Sequence, residues 1–178
     1  MYKLTAYDKF IQMALKYGFS LFGLPKTGQI ISYNAGDDGV YEAGYPKSGT
    51  RFIDNGDETV SDMATGLMWL KDPDGDAGVV RASWAAWLTA VERLDFAGHS
   101  DWRAPNIREL QSLIDYTKFN TCFPSVFIFQ PFWYWSSTTS ISSTTKAWYI
   151  DAISGNISTS DKLSAVPWRY GTAVRGGI

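Results

Sequence analysis

The chain has 178 residues, 45% of them hydrophobic and 19% charged, with a formal net charge of −2. That length and balance fit one domain with a buried core and exclude a disordered chain, while the small negative charge argues against nucleic acid or a strongly anionic polysaccharide as the main partner, since both favour a basic face. One cysteine, Cys122, and one histidine, His99, exclude an intrachain disulfide, a cysteine-based zinc site and a histidine-pair mechanism. Eight Trp, ten Tyr and ten Phe remain to be placed, and such rings either fill a core or offer polar edges at a binding rim.

In chain order, residues 1–23 come first. Phe10, Ile11, Met13, Ala14, Leu15, Phe19, Leu21 and Phe22 are interrupted there by Asp8, Lys9, Gln12 and Lys16. No apolar run approaches the roughly 20 residues that span a bilayer, and a secretory signal wants a cleaner apolar stretch. The pattern predicts an amphipathic, helical segment that docks on this domain or assembles with a neighbouring subunit, with residues 24–178 forming one domain. Leu24-Pro25-Lys26-Thr27-Gly28 spells a sortase signal by accident, because such signals stand before a C-terminal apolar stretch. Residues 28–50, rich in Gly, Asn, Asp and Pro, read as a loop or short hairpin. Asn55-Gly56 between strand-like runs is a hairpin signal, and residues 65–70 read as a buried strand.

Two helices follow. Ser83 caps one from Trp84 to Leu94, with Trp84, Trp87, Leu88, Val91 and Leu94 on one face. Asn106 caps another from Ile107 to Tyr116, with Glu109 at the capping-box position and Ile107, Leu110, Leu113 and Ile114 inward. From residue 122 onward strands are expected at 132–138, 147–151 and 171–175, with a turn at Ser154-Gly155-Asn156. Ser and Thr fill nine of the ten positions 136–145, a stretch expected in a loop rather than the core. A hairpin, two helices and then strands predict an α+β fold with an antiparallel sheet.

Five blocks carry a resemblance: PKTGQ (25–29), RFIDNGDETVSDMATGLMWLK (51–71), DWRAPNIRELQSLIDY (101–116), YWSSTT (134–139) and AVRGG (173–177). In this order they resemble the C-terminal domain family of the Legionella collagen-like adhesin over roughly residues 24–178. The resemblance implies a bacterial surface or phage-associated domain, often trimeric, that adheres to glycans or host surfaces. It also implies a C-type-lectin-like fold, two helices packed on a twisted antiparallel sheet with long loops. Formylglycine-generating enzymes share that fold but depend on paired cysteines, which this chain lacks, so the implied domain is not an enzyme. The adhesin's sulfated glycosaminoglycan ligands need clustered Lys and Arg, and that ligand class does not carry over to an acidic chain.

Candidate sites follow. Asp54, Asp57 and Asp62 flank the first turn, and Asp72, Asp74 and Asp76 alternate in a second. Oxygen-rich turns can hold structural calcium, although Asp beside Gly is also ordinary turn chemistry; no other cofactor is expected. Arg103, Arg108 and Arg175 are expected to tie loops together, and Trp69, Trp84, Trp87, Trp102 and Trp135 to fill the core. In a C-type-lectin-like fold the late strands and their loops form the ligand face. That reading selects the loop 140–145, a turn at 156–162 and the segment 167–170. Trp168 and Tyr170 would stack on a sugar, with Asn156, Asp161, Lys162 and Arg169 supplying polar contacts; the alternative is that Trp168 covers the sheet end. His99 sits in a polar turn without a nucleophile elbow, and no catalytic constellation emerges. The expected function is a non-catalytic adhesion domain for a glycan or surface-protein receptor, multivalent as a homo-oligomer. The alternative is a structural subunit of an extracellular filament or phage particle assembled through residues 1–23. Either role is extracellular, at a cell surface or on a virion, with no nucleic-acid partner and no transmembrane segment.

Overall fold

A computed structural model describes residues 24–45, 51–78, 82–164 and 169–176. Their elements run α1 (Asp38–Tyr41), β1 (Phe52–Asp54), β2 (Thr59–Asp62), β3 (Leu67–Leu70), α2 (Trp84–Glu92), α3 (Ile107–Ser112), β4 (Trp133–Thr139), β5 (Lys146–Asp151), β6 (Ile157–Asp161), β7 (Arg169–Tyr170) and β8 (Val174–Gly176). The α+β class is as expected. The single antiparallel sheet is not: the strands form two four-stranded sheets, in the orders β1-β2-β3-β8 and β6-β5-β4-β7, and β4 pairs with β7 in parallel. The predicted segment 1–23 lies outside the described residues.

Local chemistry accounts for the element starts. Asn55 and Gly56 do open the β1–β2 hairpin, but the connection is four residues long, with Gly56 at φ 78° and Glu58 at φ 65°. The Asn55 amide donates to the Thr59 carbonyl at 3.0 Å and closes it. At α3 the Asn106 side chain accepts from the Arg108 and Glu109 amides, and Glu109 accepts from the Asn106 amide, which is the expected capping box. The helix ends at Ser112 rather than Tyr116. Leu113 and Ile114 donate to carbonyls three residues back, the Asp115 amide turns to Cys122 O at 2.7 Å, and the Tyr116 amide turns to Thr27 O at 2.9 Å. Tertiary acceptors replace the helical ones and stop the ladder. Residues 156–162, expected as a turn, are largely strand β6.

Period-2 alternation sorts the core into two clusters. Leu67, Trp69, Tyr134, Ile150, Tyr170 and Val174 belong to one, into which α3 sends Leu110. Leu70, Trp135, Ala147 and Ala173 belong to the other, where α2 packs Trp87 and Val91. Both sheets therefore contribute to both clusters. The stretch 136–145 is not all loop: Ser136 and Ser140 are buried, and Ser136 Oγ donates to Trp148 O at 2.9 Å. A pair of buried ions joins Arg51, just before β1, to the end of β2. Arg51 Nε and Nη2 meet the two Asp62 oxygens at 2.8 and 2.7 Å, and both side chains are 0% exposed.

Candidate functional site

The second sheet assembles a cation among aromatic rings. Trp133 and Trp135 stand two apart on β4 and so share a face. The register places Trp135 opposite Tyr149 on β5 and Trp133 beside Arg169 on β7. The Arg169 guanidinium consequently lies 4.6 Å from the Trp135 ring centroid, 5.4 Å from Trp133 and 5.7 Å from Tyr149, within cation–π range. Arg169 is only 5% exposed. Its Nη1 reaches the Asp161 carbonyl at a long 3.4 Å, and its Nε is buried without a hydrogen-bond partner. Burial pulls the guanidinium below its ordinary pKa, an effect that Tyr149 and Asp161 oppose.

Lys162 forms the neighbouring contact. Its Nζ sits 4.1 Å from the Trp84 ring centroid and donates to Thr139 Oγ1 at 2.8 Å. Trp84 opens α2, and its Nε1 donates to the Ser136 carbonyl at 2.8 Å, which pins the ring over β4.

Of the residues selected from sequence, Asp161, Lys162 and Arg169 are thus brought together. Asn156 is exposed at the far end of β6, where its carbonyl accepts from the Asp151 amide at 2.9 Å, and it does not join them. Tyr170 is a correction. It is fully buried, stacked on Phe132 at 5.3 Å and tilted against Tyr134 at 5.5 Å. Pairing with Tyr134 puts it on the opposite face of the sheet from Arg169, so it has no face for a sugar. Trp168 lies outside the described residues. Sequence reasoning missed Trp84, Trp133, Tyr149 and Thr139 as site residues. The W-x-W spacing of Trp133 and Trp135 was the available signal, but their partners come from strands distant in sequence.

The calcium candidates do not converge. Asp62 is occupied by Arg51, Asp54 by the Lys71 ammonium at 2.9 Å, and Asp57 Oδ1 accepts from Thr59 Oγ1 at 2.6 Å. In the second turn Asp72 Oδ1 accepts from the Asp74 amide at 2.9 Å. Among the described residues no group of three His, Cys, Asp or Glu is placed to hold a metal ion; these carboxylates serve turns and ion pairs. Two of the arginines tie loops as expected. Arg103 grips Glu109 through two nitrogens at 2.6 and 2.9 Å, and Arg175 grips Asp101 at 2.6 and 3.1 Å. Arg108 instead lines an open cleft of about 250 Å³ with Leu24, Pro25 and Tyr116. Among the described residues no helix is long and apolar enough to cross a membrane.

Comparison with known protein families matches the Lcl C-terminal domain over residues 58–171, well over half of the chain. The match takes in both longer helices and the whole β6-β5-β4-β7 sheet, while the PKTGQ and AVRGG blocks fall outside it. Comparison with curated proteins found no match. The chain belongs to the Lcl C-terminal domain family and is, at that level, an adhesin-like domain.

Proposed function

We propose that this protein is a non-catalytic, surface-binding domain of C-type-lectin-like fold that recognises a glycan or protein receptor through the face carrying Arg169. It acts outside the cell, at a cell surface or on a virion, as a homo-oligomer whose weak single sites add up. The observation that carries the reading is the half-buried pair Trp133 and Tyr149 standing beside a buried guanidinium that forms no ion pair with a described carboxylate. Aromatic faces with a few polar groups are what ligand sites present. Two four-stranded sheets and two packed helices support the lectin-like reading. A glycan array probed with the protein is the test. Trp133→Ala and Tyr149→Ala should each weaken the strongest hits about tenfold or more, as loss of an anchoring ring does. An unchanged array from folded variants sinks the site.

A second reading, a structural subunit of a filament or particle, is favoured by one observation. Leu24, Ile30, Ile31, Tyr33, Val40 and Tyr41 are all more than half exposed within a short stretch, and a cluster of apolar side chains on the surface marks a contact. Removal of residues 1–23 tests it: unchanged oligomer mass by light scattering would oppose assembly through that segment.

A further inference from the structure

Two arginines are buried among the described residues, and they are served very differently. Arg51, 1% exposed, has a bidentate carboxylate in Asp62, although its Nη1 is also unmet. Arg169, 5% exposed, has three ring faces, one 3.4 Å contact to a carbonyl and an orphaned Nε. A guanidinium removed from water ordinarily gains a carboxylate or several carbonyls, because each unmet N–H costs free energy. Rings alone stabilise the charge without using its hydrogen-bonding fork. Asp161 acts on the charge from a distance, but no described carboxylate fills the fork, which leaves it open to a planar anion.

The surroundings narrow what that is. On the same face of the sheet, Ser158 pairs with Tyr149 and Ser160 with Ala147, so both hydroxyls point the same way as the rings. Neither forms a hydrogen bond with a described residue, and Ser158 is exposed. Trp133 and Tyr149 lie 5.1 Å apart and are half-buried. Aromatic faces flanked by hydroxyls suit a sugar ring, and a guanidinium fork takes a planar carboxylate through two parallel N–H···O bonds. We propose that this face takes a sugar acid, a pyranose bearing a carboxylate, with the carboxylate on Arg169 and the ring against Trp133 and Tyr149. The inference rests on the surface-binding reading above and names its ligand class.

Calorimetric titration of the whole protein with methyl β-glucuronoside, methyl α-sialoside, methyl β-glucoside and methyl β-glucoside 6-sulfate tests it. At least one of the two carboxylated sugars should bind ten times or more tighter than both the neutral and the sulfated sugar. Arg169→Gln should remove that preference, and the Arg169 Nε–H resonance of the native protein should move on addition of the acid. Because Arg169→Gln can fail to fold, Ser158→Trp gives an independent blockade from an exposed position; it should abolish acid binding at an unchanged melting temperature. Equal binding of acidic and neutral sugars, or tighter binding of the sulfate, overturns the sugar-acid assignment and leaves surface binding standing. Binding of a glutamate-rich peptide, lost in Arg169→Gln, where no sugar binds overturns it in favour of a protein ligand. Failure to bind any member of a glycan array or any acidic peptide removes both readings together.

Discussion

Arg51 and Asp62 hold opposite charges where no water reaches either side chain. Such a pair adds little over an apolar substitute, but half of it is costly to leave behind. Asp62→Ala should cost about 3–5 kcal/mol in urea unfolding, and Arg51→Met/Asp62→Leu should recover most of it; a small effect of the single change would show that water enters the site. Exposed carboxylates behave otherwise. The Lys71 ammonium holds Asp54 below its ordinary pKa, and the Arg175 guanidinium does the same for Asp101. A depressed folded-state pKa means stability that is present above the unfolded value, near 4, and lost as pH falls through the lower folded one. The urea midpoint should therefore drop between pH 5 and pH 2.5, and Asp101→Asn should flatten that drop. These residues were legible in sequence as acids in turns; their basic partners were not, since Arg175 stands 74 positions from Asp101.

Between β7 and β8 the chain passes so close to Trp87 that a Cβ at Gly171 would collide with its indole, which is 1% exposed and donates through Nε1 to Thr172 O at 3.2 Å. Neither the ring nor the backbone can give way. Gly171→Ala should cost about 3 kcal/mol by overpacking. Gly56→Ala makes the control, since nothing lies within 4 Å and only its φ of +78° is strained, worth about 1 kcal/mol. Thermal melts of the two should differ clearly, and equal shifts would mean that Trp87 moves. Helix starts were legible because Ser83, Asn106 and Glu109 act on the residues next to them. The end of α3 was not, because Cys122 and Thr27 supply the acceptors that stop it. Strands β6 and β7 were missed for a related reason. Ile157–Asp161 is mostly Ser, Thr and Asp, and Arg169–Tyr170 is two residues long; pairing with β5 and β4, not propensity, makes them strands.

At the scale of the whole molecule, apolar surface gathers near residues 24–41 while the cation–aromatic face lies on the β6-β5-β4-β7 sheet. Tyr33→Ser, Val40→Ser and Tyr41→Ser together should lower self-association in sedimentation experiments and leave the melting temperature nearly unchanged, because these side chains are 80%, 54% and 71% exposed. An unaltered oligomer would free that patch of an assembly role. By itself the sequence determined the α+β class, both principal helix starts, the strands at Leu67–Leu70, Trp133–Thr139 and Lys146–Asp151, and the family, since all of these follow from local periodicity, capping and ordered blocks. Only the tertiary structure decided how the two sheets divide and which of two adjacent residues, Arg169 or Tyr170, belongs to the site. Period 2 requires those neighbours to face opposite ways. Which of the two turns toward Trp135 and which toward Tyr134 depends on where a two-residue strand docks against β4, and that long-range register appears nowhere in the order of residues around it.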